Sequence, residues 1–296
     1  MIRKLFHGLY MGTLWVIILL VISTFPFLFS YDGNSFSFNE QIFTYVKNYF
    51  SGLLTGESFQ YKWVADGFVL SEYSIWDEWP DSFVLSAVFL ILTGIVAMGL
   101  GLFVGLWLAK RKAWVKDIFG FLSLLPDFFV GLLLCVLVIV IFQSTGILVA
   151  EVAATGSETA ILLPFITLAY IPFMYMIRMV SFETYHVLTE DYILIAKAKG
   201  LSKWHIYSQH VIRNILPFVK ADLFKICGMM IGSMYIVERI FNLRGVTKLF
   251  FLVHKWDIQG QYNIVTYTLL ALMVIFFITY VTMRLLILLF EKIFAD

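Results

Sequence analysis

The chain has 296 residues, 61% of them hydrophobic and 14% charged, with a mean hydropathy of +0.89. A soluble domain carries about 25% charged residues, so there is too little polar surface here to cover a water-soluble core, and ordinary cytosolic enzymes and disordered chains are excluded. A formal net charge of +1 supplies no field that would gather a polyanion, which excludes nucleic acid as a partner.

About 20 mostly apolar residues cross a hydrocarbon core of roughly 30 Å. The first such stretch is 9–29, after the basic start Arg3-Lys4. It is longer than a signal-peptide core and no small-x-small cleavage site follows, so it reads as an uncleaved span. Further spans are predicted over 84–109, 118–142, 160–177, 214–237 and 264–283. The fifth has Lys220, Asp222 and Lys225 in its first half, which places that half near an interface or against a polar interior. The expectation is therefore an all-α membrane protein with six transmembrane helices. Most of the 21 basic residues fall on one side if the N-terminus is inside, and the positive-inside rule then puts both termini in the cytoplasm. The last outer loop, with Arg239, Arg244, Lys248 and Lys255, disagrees locally.

Residues 1–30 form the first transmembrane unit, 31–80 an extracellular segment and 81–292 a five-helix core. The extracellular segment is rich in aromatics, among them Phe43, Tyr45, Tyr49, Phe50, Trp76 and Trp79. It reads either as an interfacial belt with short helices on the lipid or as a surface for an external partner. In the second span, Gly101 and Gly105 are spaced for close helix packing, as are Gly228 and Gly232 in the fifth. Asp127 stands in the third span after Pro126, where a carboxylate facing lipid costs a few kcal/mol. It is expected either to steady a proline bend or to line a translocation path.

The inner segment 183–213 is longer than a connector needs. Helix formers run from Tyr185 to Lys199, Gly200 breaks them, and Ser202 can cap a second amphipathic helix bearing Leu201, Trp204, Ile206, Val211 and Ile212. It reads either as a hairpin on the inner leaflet or as a docking element for a cytoplasmic protein.

Asp191-Tyr192, Ala196-Lys197-Ala198-Lys199-Gly200-Leu201-Ser202, His210-Val211-Ile212-Arg213-Asn214 and Leu216-Pro217 together resemble the cytoplasmic loop of bacterial ABC-importer permeases, closest to the dipeptide, oligopeptide and nickel branch. Leu125-Pro126-Asp127 and Val237-Glu238-Arg239-Ile240-Phe241 are similar to other stretches of that branch. The family's Glu-Ala-Ala is Leu194-Ile195-Ala196 here, and a serine common after the third-span proline is Asp127.

The resemblance implies a type I ABC importer permease fold in the bacterial cell membrane. It implies a second permease subunit (homologue or copy), two cytoplasmic ATPase subunits and an extracellular solute-binding protein as partners, besides membrane lipid. It implies peptides, or a related small solute such as a nickel chelate, as cargo. The ATPase-coupling residues it points to are Ala196, Lys197, Ala198, Lys199, Gly200, Leu201, Lys203 and Trp204. The lysines can pair with acidic groups, while Leu201 and Trp204 supply apolar anchors.

No phosphate-binding Gly-x-x-x-x-Gly-Lys-Ser/Thr loop occurs, and no His-Glu-x-x-His. The histidines, His7, His186, His205, His210 and His254, lack ligand spacing, and His205 and His210, five apart, are expected on different helix faces. No catalytic residue, cofactor or metal is expected. The competing functions are an ion-coupled secondary transporter, which favours paired intramembrane acids and an inverted repeat, and a membrane scaffold or sensor whose loop binds a protein.

Overall fold

The computed structural model describes residues 2–31, 35–65, 68–155, 159–251 and 258–294; His254 and Lys255 lie outside the described residues. In chain order the elements are α1 (Ile2–Thr24), β1 (Phe29–Tyr31), β2 (Phe36–Phe38), α2 (Ile42–Thr55), β3 (Gln60–Ala65), β4 (Phe68–Ser74) and α3 (Ile75–Leu108). Then come α4 (Ala113–Leu122), α5 (Asp127–Thr145), α6 (Leu162–Thr189), α7 (Asp191–Ala198) and α8 (Lys203–His205). A π-helix (Ile206–Ile212), α9 (Arg213–Ile240), a 3-10 turn (Val246–Phe251) and α10 (Ile258–Ile293) complete the chain. The protein is an all-α, multi-pass membrane protein with two small antiparallel hairpins, β1–β2 and β3–β4.

Among the described residues, four helical segments are long and apolar enough to cross a membrane: Trp79–Leu108, Asp127–Thr145, Leu162–Thr189 and Gly260–Ile293. The apolar stretch Gly12–Phe27, which runs through the end of α1 into a 3-10 turn, is shorter. Helix α9 has 28 residues but carries Lys220, Asp222 and Lys225 in its first half. The span expected over 118–142 is not one helix. It breaks after α4, and Pro126, with an extended ψ of 146°, stands at the N-cap of α5. Proline has no N–H to continue the helix and holds the residue before it away from the α region, so the chain restarts there instead of bending.

The chain divides into two compact units, residues 1–85 with 245–274, and 86–244 with 275–296. In the first, Tyr262 is fully buried among Phe27, Ile42, Tyr49 and Val265. Its ring meets those of Phe27 and Tyr49 edge-on, at 5.9 Å and 5.7 Å. The segment 31–80, read as an interfacial belt with short helices or as a partner surface, holds α2 and strand hairpins. Across β3–β4, Lys62 and Glu72 face each other in register and pair at 3.2 Å. Val, Tyr and Trp in that stretch suit a pleated surface better than a helix.

In the second unit, α6 packs on α9 and α5. Helix α3 closes on α6 through Gly101 and Gly105. A Cβ at Gly101 would come within 2.5 Å of the Met176 Cβ, and one at Gly105 within 2.6 Å of the Val180 Cβ. At both glycines the two helices therefore approach too closely for a side chain. At the far end of α9 the buried Ser86 hydroxyl donates to Glu238 Oε1 at 2.5 Å. Ala154 N–H donates to the Phe241 carbonyl and Asn242 Nδ2 to the Ala154 carbonyl, each at 2.9 Å, so the loop after α5 is stitched to the end of α9.

Candidate functional site

The loop between α6 and α9 is built from its glycine outward. Gly200 has φ +76°, a left-handed conformation open to glycine and strained for β-branched residues. Leu201 N–H reaches back to the Ala196 carbonyl at 3.2 Å and Gly200 N–H to the Lys197 carbonyl at 3.0 Å. This 6→1 and 5→2 pair closes the end of α7 as a Schellman motif. Two residues later the Ser202 hydroxyl accepts the His205 N–H at 3.2 Å and caps the next helix, as its sequence position predicted.

That second helix changes its winding. Residues Ile206–Ile212 form a π-helix, with Ile206, Val211 and Ile212 buried. The wider turn brings positions five apart onto one face. His205 and His210 therefore lie ring to ring, with centroids 6.2 Å apart, and not on different faces. Asn214 Nδ2 donates to the Tyr192 hydroxyl at 3.2 Å and to the His210 carbonyl at 2.6 Å, tying the start of α9 to α7. Burial, and then the nearby Glu190 carboxylate, push the Tyr192 phenol above its usual range.

Held in this way, the loop turns an apolar and basic surface outward. Trp204 is 74% exposed, and Leu194 and Ile195 are each 56% exposed. Lys197, Ala198, Lys199, Leu201 and Lys203 are exposed beside them, whereas Ala196 is buried and belongs to the loop's interior. The resemblance does not point to Leu194 and Ile195, which stand where the family pattern has Glu-Ala, yet both are exposed apolar residues. The available signal was the run Ile193-Leu194-Ile195-Ala196, four consecutive apolar residues that one face of a short helix cannot all bury.

A cavity of about 890 Å³ opens between α4, α6 and α9. Lys116, Arg178 and Lys225 line it together with Tyr170, Tyr175 and Tyr185. The Lys225 ammonium donates to the Tyr175 hydroxyl at 3.2 Å, and that hydroxyl donates to Asp222 Oδ2 at 2.5 Å. Arg178 Nη1 donates to the Ser123 hydroxyl at 3.1 Å, and the Lys116 ammonium sits 5.3 Å from the centroid of the Tyr185 ring. The Tyr170 hydroxyl donates to the carbonyl of Leu122, which also accepts the Leu125 N–H at 3.0 Å in the turn after α4.

Residues 97–294, two thirds of the chain, match the family described as binding-protein-dependent transport system inner membrane component. The chain belongs to that family. Among curated relatives, this inner membrane component is 32% identical to the dipeptide transport system permease protein DppB of Lactococcus lactis subsp. cremoris over 153 residues, 50% of this chain and 48% of the relative. It is 29% identical to DppB of Bacillus subtilis over 171 residues, 58% of this chain and 54% of the relative. DppB of Escherichia coli is 25% identical over 210 residues, 60% of this chain and 61% of the relative. The chain thus spans about half the length of the curated relatives it matches.

The inner membrane component places its other predicted residues differently from expectation. Asp127 lies in the first turn of α5, not deep in a continuous span, and does not line the cavity. It is 4% exposed; its Oδ1 accepts the Phe128 N–H at 2.8 Å, and among the described residues its Oδ2 has no hydrogen-bond partner. A helix N-terminus is a favourable place for such a group. Among the described residues Gly228 and Gly232 have no packing neighbour: a Cβ at either would find no atom within 4 Å, and both are exposed. Spacing alone does not say which face of a helix its neighbours cover.

Proposed function

We infer that this chain is the membrane-spanning permease subunit of an ATP-driven importer for peptides, forming part of the passage and coupling it to separate ATPase subunits. Family membership gives the class, and the printed names of the relatives support dipeptides or oligopeptides as cargo. The observation that carries the coupling role is the loop itself. A Schellman turn at Gly200, a capped turn at Ser202 and the Asn214 bonds hold Leu194, Ile195, Leu201 and Trp204 outward among lysines. Exposed tryptophan with apolar neighbours is the composition of a protein-binding hot spot.

In this reading α1 and α9 also cross the membrane, giving six spans with both termini and the Gly200 loop on the cytoplasmic side of the bacterial cell membrane. Solute arrives from an extracellular binding protein, and a second permease subunit, homologue or copy, completes the passage. The uncovered Gly228 and Gly232 face supports such a neighbour, because small residues let helix backbones approach closely. The test is co-purification of the ATPase subunits with the full chain, together with ATP-driven uptake of a labelled dipeptide. Trp204→Ala should weaken ATPase association at least tenfold, the scale of a hot-spot truncation. Full association of that variant, or peptide uptake that runs without ATP on an ion gradient, would sink this reading.

A further inference from the structure

The cavity between α4, α6 and α9 has three cations on its wall and no carboxylate among its lining residues. Lys225 is compensated through Tyr175 by Asp222, a chain of two hydrogen bonds that leaves little charge on offer. Arg178 and Lys116 differ from it. The hydrogen-bond partner of Arg178 is a neutral hydroxyl, and Lys116 faces a neutral ring; no carboxylate among the described residues pairs with either. A guanidinium presents five N–H donors in a fork that matches a carboxylate, and one serine hydroxyl leaves most of that fork unused. Charged groups on helices of this hydropathy face a wet passage or a partner, since facing lipid is costly.

The rest of the wall is apolar and adaptable. Met174, Met179 and Met229 line it with Phe119. Methionine's unbranched, polarisable side chain conforms to bodies of different shape. A volume of about 890 Å³ lies within the range of small-molecule sites, roughly 300 to 1,000 Å³. A site with two cations on its wall that no carboxylate neutralises, and a compliant apolar floor, fits molecules that share an anionic end and differ elsewhere. Peptides with a free C-terminal carboxylate have this form.

Building on the importer reading, we propose that this cavity is a solute-binding chamber in which Arg178 and Lys116 hold the free carboxylate of the peptide in passage. The methionine floor takes the varying side chains. Asp127 has no part in this recognition, because it is buried elsewhere at the start of α5.

The test uses the full chain in phosphatidylcholine nanodiscs, titrated with labelled alanyl-alanine and with its C-terminal amide. The free acid should bind about tenfold more tightly, the factor that one charge-assisted hydrogen bond contributes. Arg178→Gln combined with Lys116→Gln should bring the two affinities together, while Arg178→Lys, which keeps the charge, should retain most of the preference. Equal binding of acid and amide by the unmodified chain, a preference that survives the double substitution, or no binding of either peptide overturns the chamber. So does displacement of the acid when phosphatidylglycerol replaces half of the lipid, which would assign the two cations to lipid headgroups. The unmodified chain and Arg178→Lys decide the matter even if the double variant does not fold. ATP-driven uptake by the complete transporter is measured separately. Its absence for every peptide removes the importer reading, whereas normal uptake with equal acid and amide binding removes the chamber alone.

Discussion

His205 and His210 stand with ring centroids 6.2 Å apart although five residues separate them. On an α-helix of 3.6 residues per turn their side chains would diverge by about 140°. The π-helix Ile206–Ile212 between them removes that divergence and sets how α8 is rotated relative to α9. Inserting one alanine between His205 and Ile206 should swing Trp204 and Lys203 round the axis by about 100°, one residue's step. The expected outcome is a chain that inserts normally yet no longer retains the ATPase on purification. Retention at the level of the unmodified chain would show that the orientation of α8 is unimportant to docking.

Gly200→Val addresses the same surface through the backbone. No described atom lies within 4 Å of a Cβ there, so the penalty is conformational, about 1 kcal/mol or more for a β-branched residue at φ +76°. Asparagine tolerates that conformation better. ATP-driven uptake should fall in the order glycine, asparagine, valine, at equal amounts of protein in the membrane. An order that does not follow backbone tolerance would separate uptake from the turn.

Asp127→Asn keeps a side-chain acceptor for the Phe128 N–H and removes the charge. Since the residue is buried at the start of α5 and outside the cavity, peptide uptake and peptide selectivity should match those of the unmodified chain. A selective loss of uptake for peptides with a free amino end would return Asp127 to the passage.

The two glycine pairs should behave oppositely. Gly101→Ala and Gly105→Ala place a methyl against the Met176 and Val180 Cβ atoms and should lower the chain's thermal stability in detergent, by about 1 to 3 kcal/mol for overpacking. Gly228→Ala and Gly232→Ala meet no atom of the described residues and should not lower that stability. If the second permease packs there, the loss will appear as weaker subunit association, read by cross-linking.

Topology is checked with reporter fusions. Those after Lys62 and after Glu158, which is not among the described residues, should report from outside and one after Lys199 from inside. An external signal at Lys199 removes the ATPase-docking assignment.

Much of this was legible in the sequence because it depends on local chemistry. Gly200 and Ser202 announced their turn and cap, and Gly101 and Gly105 their close approach. The break at Ser123–Pro126 was harder to see, because the apolar run 118–142 continues through it and hydropathy does not record where hydrogen bonds stop. The π-helix left no mark, since its residues would serve equally well in an α-helix. The cavity was invisible for another reason. Arg178, Lys116 and Lys225 come from three separate helices, and only tertiary packing brings them to one wall. The pull of the family pattern also hid Leu194 and Ile195, whose exposure depends on which way α7 faces.

The two cations without a fixed carboxylate opposite have a consequence for the empty chamber. Electroneutrality does not let Arg178 and Lys116 stand bare against water, so mobile anions from the medium accumulate beside them whenever no solute is present. An arriving carboxylate must displace those ions. The chamber therefore works as a small ion exchanger, in which chloride competes with cargo and rising salt weakens loading without touching any residue.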